Sequence, residues 1–122
     1  MMKNILLVAS GGAVGSVLRY LVSKWIQESS ATAFPLATMV VNIVGCLLIG
    51  IFYGLTERWG LSGELKLLLT VGFCGGFTTF STFMNENLML LRSQEALLSC
   101  LYVALSVGIG LLAVWAGKTI AS

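Results

Sequence analysis

The sequence predicts an all-α integral membrane protein of four transmembrane helices whose third helix is broken, and three observations carry that expectation. First, 57% of the 122 residues are apolar and only 10% are charged, where a soluble domain carries about 25% charged residues. Second, the charges gather at Lys3, at Lys24 and Glu28, from Glu57 to Lys66, at Arg92 and Glu95, and at Lys118. The apolar stretches between them are each near the ~20 residues that a bilayer requires. Third, the run Gly72-Phe73-Cys74-Gly75-Gly76-Phe77-Thr78-Thr79-Phe80-Ser81-Thr82-Phe83 sets glycines and hydroxyls inside a stretch otherwise suited to lipid. Adjacent glycines carry high backbone entropy and threonine hydroxyls compete for nearby carbonyls, so a helix weakens there.

In chain order, the first span is expected over residues 4–24. A Lys before an apolar run imitates a secretory signal, but Arg19 and the length of the run exceed an h-region of ~7–15 residues, so the span is expected to be retained. The second span, 35–55, opens at Pro35, where a missing N–H costs least. From Thr56 to Glu64 the chain reads as a polar connection. The third span covers 67–91 and ends in Arg92-Ser93-Gln94-Glu95, a length that suits only a tight turn between antiparallel helices. The fourth covers 96–117. Trp25, Trp59 and Trp115 fall near span ends, as an aromatic belt at the headgroups would have it. The whole chain, residues 1–122, is thus expected to form one membrane domain.

Several classes are not supported. Cys46, Cys74 and Cys100 lie in three different apolar segments with no CxxC spacing and no histidine, so neither a thiolate metal site nor a disulfide framework is indicated. The net charge of +2 is spread over loops, with no basic run that would indicate nucleic acid. Nucleotide motifs and redox ligands are lacking as well, and an enzyme is not expected. An even span count puts both termini on one side, with Lys3, Arg58, Lys66 and Lys118 on that face and Lys24, Arg92 and Arg19 towards the other. Four against three gives the positive-inside rule almost nothing to act on, so a dual-topology, antiparallel assembly is a live hypothesis.

Small residues recur at i,i+4 in Gly11-x-x-x-Gly15, Gly50-x-x-x-Gly54 and Gly72-x-x-x-Gly76, a spacing that lets helix backbones approach closely. Four short helices hide few polar groups, however, and self-association would supply the missing cover. The groups in need of it are Arg19, Thr38, Asn42, Ser81, Thr82, Asn85, Glu86, Tyr102 and Ser106. Thr38 and Asn42 share one helix face, Ser81 and Asn85 another, and Tyr102 and Ser106 a third. Neutral donors suit a small, strongly hydrated anion that must be held and then released. Phe80 and Phe83 would join them if their positive ring edges faced the ion. Carbonyls freed at the break would instead hold a cation such as Na+. The residues by themselves leave that choice open.

Three patterns together, Gly11-Gly12-x-x-Gly15-x-x-x-Arg19, Asn42-x-x-Gly45-x-x-x-x-Gly50, and the Gly72 to Phe83 run closing in Thr79-Phe80-Ser81-Thr82-Phe83, resemble the Fluc (CrcB-type) fluoride channels over essentially the whole chain. The resemblance implies a passive fluoride-selective channel in the inner membrane of a prokaryote, built as an antiparallel dual-topology homodimer with a central structural Na+. By the same likeness the carbonyls of Gly75 and Thr78 would hold the Na+, and Phe80 and Phe83 would face the anion. Asn42 would line the pore with Thr38, while Ser81, Thr82, Tyr102 and Ser106 would form a hydroxyl track. Arg19 would sit near the aqueous vestibule, and Glu86 matches the family's glutamate after the phenylalanine pair. The sequence departs from the family pattern at Met84-Asn85 and at Gly110, where a serine often continues the track. A small dual-topology, proton-coupled multidrug transporter is the competing expectation, but it needs a first-span carboxylate where this chain has Arg19. A scaffold subunit that transports nothing would leave the third-span motif without a purpose.

Overall fold

The computed structural model describes residues 1–29 and 34–122, and every regular element among them is helical. Helix α1 is Met2–Ser29 and α2 is Leu36–Trp59. The third span, Gly63–Arg92, is assembled from α3 (Gly63–Leu67), a π-helical stretch Leu68–Cys74, α4 (Gly75–Phe77) and α5 (Ser81–Arg92). Helix α6, Ala96–Ala121, completes the chain. Among the described residues four helices are long and apolar enough to cross a membrane, and the chain is a multi-pass membrane protein. Each runs past the expected span at one or both ends, since helical backbone continues through the polar residues such as Lys24 that bounded the apolar runs.

The ends of the elements follow from local chemistry. Pro35 precedes α2, and Gly60 closes it in the left-handed conformation at φ 63°, donating to the Thr56 carbonyl. The expected connection from Thr56 to Glu64 therefore shrinks to Gly60–Ser62. Ser62 caps α3 by accepting from the Leu65 amide at 3.1 Å. Between α5 and α6, Gln94 takes φ 60°, and the Glu95 amide returns to the Leu90 carbonyl at 2.8 Å, a Schellman-type stop with glutamine in the position that glycine favours.

Spans pair with the span after next, in parallel. α1 lies on the third span: a Cβ on Gly11 would stand 2.6 Å from the Leu68 carbonyl oxygen, and one on Gly76 would stand 2.6 Å from that of Gly12. α2 lies on α6 in the same way, where a Cβ on Gly54 would stand 2.7 Å from the Lys118 oxygen and one on Gly117 would stand 2.9 Å from the Ile51 nitrogen. All three glycine pairs picked out by spacing thus sit at backbone contacts. At one end Lys3 pairs with Glu64 at 2.7 Å and Lys118 with Glu57 at 3.2 Å, bringing both termini and the α2–α3 connection together. Both pairs are exposed and hold little energy. The buried centre is small, formed by Met39, Phe83 and Tyr102.

Candidate functional site

The third span breaks where the glycines and threonines predicted. Thr78 leaves the helix for an extended conformation, φ −87° and ψ 162°, and helical backbone resumes at Ser81. In hydrocarbon each amide and carbonyl released this way needs a partner. The Asn42 side chain supplies two: its Oδ1 accepts from the Thr79 amide at 2.8 Å, and its Nδ2 donates to the Thr79 carbonyl at 2.9 Å. Arg19 Nε donates to the Gly76 carbonyl at 3.0 Å, and Thr79 Oγ1 accepts from the Thr82 amide at 3.2 Å, starting α5. Gly45 carries no side chain because the Thr78 methyl occupies that space.

These bonds leave two carbonyls differently placed. A continuous helix would aim the Thr79 amide at the Gly75 carbonyl and the Thr82 amide at the Thr78 carbonyl. Both amides are taken by side chains, those of Asn42 and Thr79. The two oxygens so released belong to the two residues that the family likeness named for Na+, and hard cations take oxygen ligands of this kind. Gly75 is exposed on the surface of the single chain.

Beside the break lies a cavity of about 400 Å3, lined by Asn42, Gly75, Thr78, Phe80, Phe83 and Ser106 among others. Six expected site residues, from α2, the broken span and α6, therefore meet in one place. Asn42 has two amide hydrogens and the Thr79 bond uses one. Ser106 Oγ is buried with no hydrogen-bond partner among the described residues. The Phe80 and Phe83 rings are 6.1 Å apart and tilted by 56°, but their settings differ: Phe80 is 72% exposed and Phe83 only 6%. Gly110 stands under Cys46, where an added Cβ would meet the sulfur at 3.4 Å.

The other expected residues fall outside that cavity. Thr38 Oγ1 donates to one carboxylate oxygen of Glu86 at 3.0 Å, and Tyr102 Oη donates to the other at 2.8 Å. Glu86 thus collects the hydroxyls of α2 and α6 and borders a second cavity of about 490 Å3, near Gln27, Pro35 and Glu95. Ser81 and Thr82 are exposed at the start of α5. The sequence matches Glu86 to a family position but offers no partners for it, and it places Arg19 at a vestibule but not on the Gly76 carbonyl. Asn85, the residue expected to need cover, is exposed, and Asn87 is buried. Helical spacing sorts residues into faces but does not say which face turns inward.

Comparison with known proteins places the chain in a family. The family described as CrcB-like protein, Camphor Resistance (CrcB), matches residues 6–118. A protein of Flavobacterium psychrophilum is 52% identical over 121 residues, covering 98% of each chain. One of Phocaeicola vulgatus is 50% identical over 116 residues, covering 95% of this chain and 96% of its own. A third, from Rhizobium etli, is 49% identical over 120 residues, covering 98% and 96%. All three bear the name fluoride-specific ion channel FluC. With a family match across nearly its full length and relatives at about half identity, the chain belongs to the CrcB family.

Proposed function

We propose that this chain is a passive, fluoride-selective channel that lets fluoride leave the cytoplasm of a prokaryote across its inner membrane. The observation that carries the reading is the meeting of Asn42, Phe80, Phe83 and Ser106 at one cavity beside the break, in a chain about half identical to relatives named fluoride-specific ion channel FluC. An amide hydrogen, a buried hydroxyl and two phenyl rings turned edge-on to the ion would provide partial positive charge without a full cation. Such a site replaces part of an anion's hydration and still releases it. HF crosses membranes as a neutral acid and dissociates inside, so a passive route driven by the negative-inside potential is sufficient. No chemical step is involved.

The assembly in this reading is an antiparallel homodimer with dual topology. Phe80 is 72% exposed and Gly75 is exposed, so a second copy laid against the break would cover both. Inverted about a two-fold axis, that copy would add its own Gly75 and Thr78 carbonyls to this chain's pair, giving four oxygens for a structural Na+. Ser81, Thr82, Thr38 and Tyr102 would extend the polar route from the cavity, and Arg19 would brace the break while drawing anions to the mouth.

Fluoride efflux from liposomes holding the purified chain tests the function: rapid, potential-driven release is expected, and release of ethidium-like cations without fluoride would favour the transporter reading. Replacing Na+ by N-methylglucamine throughout purification is expected to weaken the dimer on size-exclusion and to lower flux. An unchanged dimer with unchanged flux would remove the Na+ from the account.

A further inference from the structure

Asn87 on α5 and Ser99 on α6 are buried, with 7% and 5% of their surface exposed, and neither borders the cavity at the break. Ser99 Oγ donates to Asn87 Oδ1 at 2.7 Å, and Asn87 Nδ2 donates to the Phe83 carbonyl at 2.9 Å. A hydroxyl of one helix is thereby linked through an amide to the backbone of Phe83 on the other. One turn along, the Phe83 ring meets the Tyr102 ring edge-on at 4.8 Å between centroids, and the Tyr102 hydroxyl reaches Glu86. Residues 83, 86 and 87 of α5 therefore face residues 99 and 102 of α6 along a single stripe.

We propose that Asn87 and Ser99 are positioning residues that set the rotation of α5, and through it hold the Phe83 ring in place between Tyr102 and the cavity. The proposal rests on the pore reading of Phe83. Its physical basis is that α5 begins directly after the break, so no continuous helix fixes its rotation from the N-terminal side. Apolar contacts against α6 tolerate sliding, because one greasy surface replaces another at little cost. A buried amide and hydroxyl do not: turning α5 by one residue, about 100°, would strip both of partners in a place without water. The pair thus selects one rotational setting among several of similar packing.

Two readouts test this, fluoride efflux per dimer and the aromatic NMR signal of Phe83 in phenylalanine-labelled protein, assigned by its disappearance in Phe83→Ile. Ser99→Ala is expected to shift and broaden the Phe83 signal and to lower efflux by about tenfold, the scale of one lost hydrogen bond. Ser99→Thr, which keeps the hydroxyl, restores both. Adding Asn87→Leu to Ser99→Ala makes neither readout much worse, and in a Phe83→Ile background Ser99→Ala changes efflux no further. If Ser99→Ala does not assemble, Ser99→Cys keeps the size with a weaker donor and is expected to give a smaller change of the same kind. A Phe83 signal that stays unmoved in assembled Ser99→Ala, or in Ser99→Cys where the alanine variant does not assemble, overturns the proposal, whether or not efflux falls. A native chain that carries no fluoride overturns the pore reading instead, while the Phe83 signal still decides the role of the pair.

Discussion

The α2–α6 seam and the break at Thr78–Phe80 meet the same requirement in opposite ways. At the seam both helices close their own backbone hydrogen bonds, so nothing is needed between them but proximity, and Gly50, Gly54 and Gly117 provide it. At the break the backbone is opened, and side chains from two other helices, Asn42 and Arg19, complete it. The contrast teaches that in lipid a regular interface is specified by what is left out, and an irregular one by what is brought in. The first is tolerant of chemistry and intolerant of volume; the second depends on the chemistry of the side chains that complete it.

Added volume at the seam should have the largest effect. Gly117→Leu would drive a side chain into the backbone of Ile51 and Leu47, which cannot move aside. The cost should reach or exceed about 3 kcal/mol, seen as loss of monodisperse protein on extraction. Recovery of normal material would show that the seam is looser than its geometry. Next comes removal of a partner at the break. Asn42→Leu keeps the bulk but orphans the Thr79 amide and carbonyl, at about 1–3 kcal/mol each, so thermal stability should drop and efflux with it; stability equal to that of the native chain would mean that water or lipid reaches the break.

The rings sharpen the comparison further. Phe80→Ile exchanges one bulky apolar side chain for another, so a stability change below about 1.5 kcal/mol is expected together with collapse of fluoride flux. Phe83→Ile should lose both, since its edge contact with Tyr102 is worth about 0.5–1.5 kcal/mol beyond area. The same swap at Phe73, stacked on Phe77 at 5.8 Å, should leave flux nearly intact. Normal efflux in assembled Phe80→Ile would return that ring to a packing role. The smallest effect belongs to a site outside both regions: Gln94→Gly at φ 60° should raise stability by at most about 1 kcal/mol and leave flux alone. A fall in flux there would mean that the α5–α6 turn is coupled to the pore.

Much of this was legible in the sequence. Four spans follow from apolar runs between charges, and the break from Gly75-Gly76 followed by Thr78-Thr79, because both signals are local. The glycine pairs announced close approach correctly, though not which spans would meet. What stayed hidden depends on distant partners. The π-helical stretch Leu68–Cys74 has no compositional mark, and it lies where the third span presses on α1. Glu86 receives hydroxyls from residues 48 and 16 positions away, pairings that no periodicity encodes. Asn85 and Asn87 are alike as letters, and only the rotation of α5 makes one a surface residue and the other a buried one.

The pairing of each span with the span after next also governs the order in which the molecule is made. When α1 has entered the membrane its glycine face has no partner until the third span follows, and the α2 face waits for α6. Contacts between distant segments form late and slowly. Adjacent helices are therefore free to enter the bilayer before their long-range partners commit them, and the architecture is decided only when α6 settles on Gly50 and Gly54.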